Sequence, residues 1–152
     1  MIQQHEFLFT PTSWIGQGKI KLNMVAEELV FFTRWNVNNF DGSGRIESVQ
    51  EIQVKGLSDI MHNQFAIYDM HSDQFVIQLE NQAIGKIVGK GIVNEKVIAW
   101  EFRIDDIGFD GYEFYEKDEN NHYFMRAEYA TSDQFRTVIE GKIWKHTETA
   151  KS

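Results

Sequence analysis

Three small polar residues stand where a strand pattern calls for apolar ones. At strand spacing Thr33 lies between Phe31 and Trp35, and Ser48 and Gln50 lie between Ile46 and Ile52. Polar groups set among aromatic side chains on one face can orient a small molecule by hydrogen bonds while the rings supply contact area. On this reading Trp14, Phe31, Trp35, Trp100 and Tyr129 line a pocket, and Thr33, Ser48 and Gln50 give its ligand a direction. The other reading is a filled core whose polar side chains bond one another or a buried water.

The residue types of catalysis are present without the spacing that catalysis needs. His5, His62, His71, His122 and His146 are scattered, with no i, i+2 pair on a strand and no His-Glu-x-x-His element. They read as surface or turn residues and not as metal ligands. The absence of cysteine excludes disulfides, cysteine zinc sites and thiol chemistry together. Glu101 shares parity with Val97, Ala99 and Arg103, opposite Ile98, Trp100, Phe102 and Ile104, which turns it toward a neighbouring charge. Asp69, in parity with Phe65 and Ile67, is the carboxylate read on an apolar face, and its place at a turn suits an Asx turn equally. An inward Asp69 or Arg126 with a perturbed pKa would favour an enzyme. There is no Ser-His-Asp order and no nucleophile elbow, and Gly85 to Gly91 holds glycine and lysine without phosphate-loop spacing or a following helix.

Strands are what must position these residues. From Trp14 onward Gly16, Gly18, Ile20 and Leu22 alternate with Gln17, Lys19 and Lys21, the period-two signature of a half-buried strand. Leu29, Phe31, Thr33, Trp35 and Val37 share the next face, which stops at the turn formers Asn38 to Gly44. Ile46, Ser48, Gln50, Ile52 and Val54 share the third. Further strands are expected at Phe65 to Asp69, Phe75 to Glu80, Ile84 to Val93, Lys96 to Ile104, Tyr112 to Glu116, His122 to Tyr129 and Phe135 to Trp144. Leu57 to His62 reads as either a short helix or a strand. The breaks between strands are too short for parallel crossovers, so neighbours are antiparallel hairpins. About ten strands in a row lose their edges by rolling into an up-and-down barrel or by stacking as two sheets, and a barrel of that size leaves room inside. The expected architecture is a single all-β domain over residues 1–152, an antiparallel barrel with a frayed tail at 147–152.

The opening Phe9-Thr10-Pro11-Thr12-Ser13-Trp14-Ile15-Gly16-Gln17-Gly18-Lys19-Ile20 resembles that of the calycin barrels: lipocalins, fatty-acid-binding proteins and, most closely, the nitrobindin-like group. Trp14, Gly16 and Gly18 match that group's Trp-x-Gly-x-Gly pattern, while Thr12 stands where lipocalins place glycine. The resemblance implies a calycin-like barrel with a ligand inside. Nitrobindin-like barrels hold haem through a histidine on a C-terminal strand. Here Phe135 to Trp144 contains none, and His146 shares the parity of Arg136, Glu140 and Lys142, which argues against haem. Fatty-acid-binding proteins clamp a carboxylate with an Arg-x-Tyr pair, whereas Arg126 and Tyr129 have the wrong spacing and opposite parity.

Composition narrows the partners. The chain has 152 residues, 15 Lys+Arg against 23 Asp+Glu and a net charge of -8, with no basic cluster to track phosphates, so nucleic acid is not expected. No stretch approaches the roughly 18 apolar residues of a membrane span, and the start lacks a basic segment followed by an apolar one, which makes the cytoplasm the expected compartment. Phe32 and Phe124, on faces assigned to solvent, mark a candidate homodimer patch. The function these readings favour is non-catalytic binding of a small apolar or amphipathic molecule, with no cofactor. The alternatives are a barrel enzyme of the isomerase or cyclase type, and a filled structural or interaction module.

Overall fold

The computed structural model describes residues 5–38, 44–131 and 135–146, with the side chain of residue 107 excepted. The expected tail at 147–152 and the tips of two expected turns, at 39–43 and 132–134, lie outside those residues. The described chain forms ten strands: β1 (Ser13–Leu22), β2 (Glu28–Val37), β3 (Ile46–Val54), β4 (Ile60–Tyr68), β5 (Gln74–Asn81), β6 (Gly85–Val93), β7 (Val97–Ile104), β8 (Phe109–Lys117), β9 (Tyr123–Ala130) and β10 (Arg136–Lys145). Each pairs antiparallel with its sequence neighbours, and β1 pairs with β10 to close the barrel. Closure satisfies every strand edge within the sheet.

Alternation decides what faces inward. Trp14, Gly16 and Ile20 on β1, Phe31, Thr33, Trp35 and Val37 on β2, and Ile46, Ser48, Gln50 and Val54 on β3 are all buried, while Gln17, Lys19 and Lys21 are exposed. Leu57 to His62 resolves as strand from Ile60, because Met61 and Asn63 continue the inward parity of Phe65 and pair with Ile52 and Gln50. The paired glycines Gly18 and Gly141 let β1 and β10 approach: a Cβ on Gly141 would meet Gln17 O at 2.5 Å and Gly18 Cα at 3.0 Å. The Trp-x-Gly-x-Gly opening therefore serves barrel closure as well as bending.

The barrel has two unlike ends. At one end the segment His5 to Phe9 folds across the opening, and Phe7 packs edge-on against Trp14 and Trp35 and at a tilt on Tyr115 and Tyr123. Trp35 stacks on Phe65 and Trp100 on Tyr115, so this half is a continuous aromatic core. His5 was expected at a surface or turn and is instead buried, 2% exposed. It lies 2.6 Å from both the Tyr123 hydroxyl, at Nδ1, and Asn94 O, at Nε2. A carbonyl only accepts, so Nε2 carries the proton and Nδ1 accepts from Tyr123. Burial holds the His5 pKa below its ordinary value. His62, His71 and His146 are exposed as expected.

Candidate functional site

The other end of the barrel is hollow. A cavity of about 350 Å³ opens among Ile20, Phe31, Ile52, Leu79, Phe109, Met125 and Ile139, a mainly apolar wall contributed by most of the strands. The volume is near the lower end of small-molecule sites. Two polar arrays face each other across it.

The first runs along β2 to β5. Thr33 donates to Glu51 O at 2.9 Å and accepts from Gln50 Nε2 at 3.2 Å. Gln50 Oε1 accepts from Asn63 Nδ2 at 3.1 Å, and Asn63 Oδ1 accepts from Asn81 Nδ2 at 2.9 Å. Asn81 Oδ1 in turn caps the β5–β6 turn through the amides of Ala83 and Ile84. The same parity that buries Phe31 and Trp35 thus aligns one polar side chain per strand into a chain of hydrogen bonds ending at the mouth.

The second array is centred on Glu113, 6% exposed, on β8. Tyr115 donates to its Oε1 at 2.6 Å and Tyr129 donates to its Oε2. Trp100, paired with Glu113 across β7 and β8, stands beside the carboxylate, although its Nε1 makes no hydrogen bond of good geometry. Burial raises the Glu113 carboxyl above the ordinary range, opposed by the hydrogen bonds from Tyr115 and Tyr129. Burial, and next the adjacent Glu113 charge, hold both phenols well above their usual range, so they remain donors. Gly111 makes room for this arrangement. It pairs with Tyr129, and the ring lies so close over it that a Cβ there would overlap Cδ1 and Cε1.

Of the residues anticipated as ligand contacts, Phe31, Gln50 and Tyr129 line the cavity, and Thr33 supports Gln50 from behind. Trp14, Trp35 and Ser48 lie in the packed half, and Trp100 lies between the two halves beside Glu113. Asp69 is exposed, at a left-handed φ of 50°, so the turn reading accounts for it. Arg126 faces outward and pairs with Glu140 at 2.8 Å. The inward carboxylate is Glu113, which the alternation pattern hides because β8 carries aromatics on both faces. Among the described residues no cluster of His, Asp or Glu is arranged to hold a metal. Phe32 and Phe124 are exposed, 46% and 39%, in one row across four strands, but Gln17 and Lys142 separate them, so they form no continuous apolar patch. A larger hollow of about 970 Å³ lies on the outer wall over β5 to β9, edged by outward side chains such as Lys90, Ile92, Glu101 and Tyr112.

The sequence matches no family model and no curated protein. Among solved structures it is similar to the S-type phycobiliprotein lyase CPES from Guillardia theta, with a TM-score of 0.66 and 10% identity over 95% of this chain and 89% of that one. The chain is a closed ten-strand antiparallel barrel, and it shares its fold with that lyase. At that identity the likeness speaks for the fold. No helix among the described residues is long and apolar enough to cross a membrane.

Proposed function

We propose that this protein binds a small amphipathic molecule in the hollow end of its barrel. The observation that carries the reading is the division of the interior: one half is packed with aromatic rings, and the other is left open with apolar walls and two convergent polar arrays. A barrel that served only as a structural module would gain stability by filling that space, because empty volume forfeits packing contacts. Phe31, Leu79, Phe109, Met125 and Ile139 would supply contact area, and Gln50, Tyr129 and Glu113 direction. The likeness to a phycobiliprotein lyase supports a barrel of this kind as a ligand holder and places a bilin among the probes. Glu113 favours a second reading, a barrel enzyme that moves a proton on its ligand, since a carboxyl raised by burial is suited to acid–base work.

The test is native mass spectrometry of the protein as purified, followed by thermal shift with fatty acids, retinoid-like compounds, porphyrins and a bilin. A released stoichiometric small molecule, or a probe that raises Tm in the wild type and not in a cavity-filling Ile139→Trp variant, is the expected result. A clean apo mass combined with no response to any probe would overturn the reading.

A further inference from the structure

Glu113 is the only aspartate, glutamate, lysine or arginine among the described residues that is buried. A buried carboxylate ordinarily has a cationic partner, because hydrogen bonds alone offset only part of the loss of water. Here the partner is missing on the protein side: among the described residues no lysine, arginine or histidine lines the cavity. Its two oxygens each take one phenolic donor, Tyr115 on Oε1 and Tyr129 on Oε2. A carboxylate offers about four acceptor positions, so even with the Trp100 indole N–H beside it at least one stays open. The phenols fix the carboxylate's orientation, and the rest of the surrounding wall is apolar apart from the Thr137 hydroxyl and the amides of Gln50, Asn63 and Asn81, which are engaged with one another.

We propose that the ligand carries a protonated nitrogen, and that this ammonium group docks on Glu113 while an apolar body fills the cavity. The proposal rests on the cavity being the ligand site and adds the chemical class of what enters it. An anionic head would meet a like charge with no basic residue to receive it. A neutral hydroxyl would make one hydrogen bond and leave the charge unanswered. Burial raises the Glu113 carboxyl pKa, and an ammonium docked on it would oppose that shift.

Three probes of one shape separate the cases: 1-naphthylmethylamine, 1-naphthalenemethanol and 1-naphthoate, titrated by calorimetry at pH 7.5 into the intact protein, its Glu113→Gln variant and its Ile139→Trp variant. The amine is expected to bind about tenfold or more tighter than the alcohol, the scale of a charge-assisted hydrogen bond. Glu113→Gln brings the amine down to the alcohol's affinity and changes the alcohol about twofold or less, and Ile139→Trp blocks both. Alcohol or naphthoate binding as tightly as the amine to the wild type overturns the ammonium proposal while the cavity reading survives; this comparison needs no variant to fold. If no probe binds at millimolar concentration, or Ile139→Trp leaves the affinities unchanged, both fail.

Discussion

Gly111→Ala will push Tyr129 off Glu113. The new Cβ would overlap Tyr129 Cδ1 and Cε1 and stand 3.1 Å from Cγ. Ordinary carbon–carbon contact is about 3.5–4.0 Å, so the ring must retreat by about 1 Å or more. The β8 backbone cannot yield instead without breaking its pairing to β7 and β9. The retreat stretches and misaligns the hydrogen bond from Tyr129 to Oε2 and leaves Tyr115 as the phenol still well placed on Glu113. Losing one hydrogen bond to a buried charged group costs about 1.5–3 kcal/mol. With an m-value of about 2 kcal/mol/M, the urea midpoint falls by roughly 1 M. The check is a cycle with Tyr129→Phe, which removes the hydroxyl and keeps the ring. If the cost passes through the hydroxyl, the two losses are strongly non-additive, and Gly111→Ala costs much less on the Tyr129→Phe background. Additive losses, or a Gly111→Ala cost below about 0.5 kcal/mol, would refute the reasoning.

Other perturbations read different parts of the barrel. Trp35→Ala removes a ring packed on Phe7, Phe65, Trp100 and Tyr115 and is expected to cost about 3–5 kcal/mol in urea unfolding. His5 is held neutral, with its pKa below 6.5, so the unfolded chain takes up the proton first; stability falls as pH drops below about 6.5, and His5→Phe flattens that slope in melts between pH 7.5 and 5. Glu113 has the opposite sign. Its folded pKa lies above 4.5, so stability falls as pH rises from 4.5 through that value, and Glu113→Gln removes the decline. Gly141→Val drives side-chain atoms into the backbone of Gln17 and Gly18 and is expected to open the β1–β10 seam, seen as accelerated amide exchange along both strands.

The barrel itself was legible because it rests on a local rule. A side-chain period of two, broken by short polar turns, leaves antiparallel neighbours as the only connection, and ten such strands close. The polar row Thr33 to Gln50 was visible for the same reason, and Asn63 joins it once β4 starts at Ile60. Glu113 was not visible, since Tyr112 and Phe114 face outward opposite Phe109 and Tyr115, and parity on β8 has no apolar side to follow. The signal that locates it is the tight turn Asp105 to Gly108. Pairing Ile104 with Phe109 carries the inward Trp100 onto Glu113. The stretch His5 to Phe9 has no period to read, because it is neither strand nor helix, and its burial depends on residues far along the chain.

That stretch has a consequence for how the protein comes to be made. His5 finds its partners 118 and 89 residues further on, and β1 waits for β10 to complete its pairing. The segment before β1 therefore completes its docking only after β9 has been synthesised. Until then Phe7, Leu8 and Phe9 face an unclosed core, and contacts of such long range make slow folding the rule. A chain lacking β9 and β10 exposes an unclosed sheet together with Phe7, Leu8 and Phe9, so the removal of those two strands would yield an aggregating species and not a nearly finished barrel.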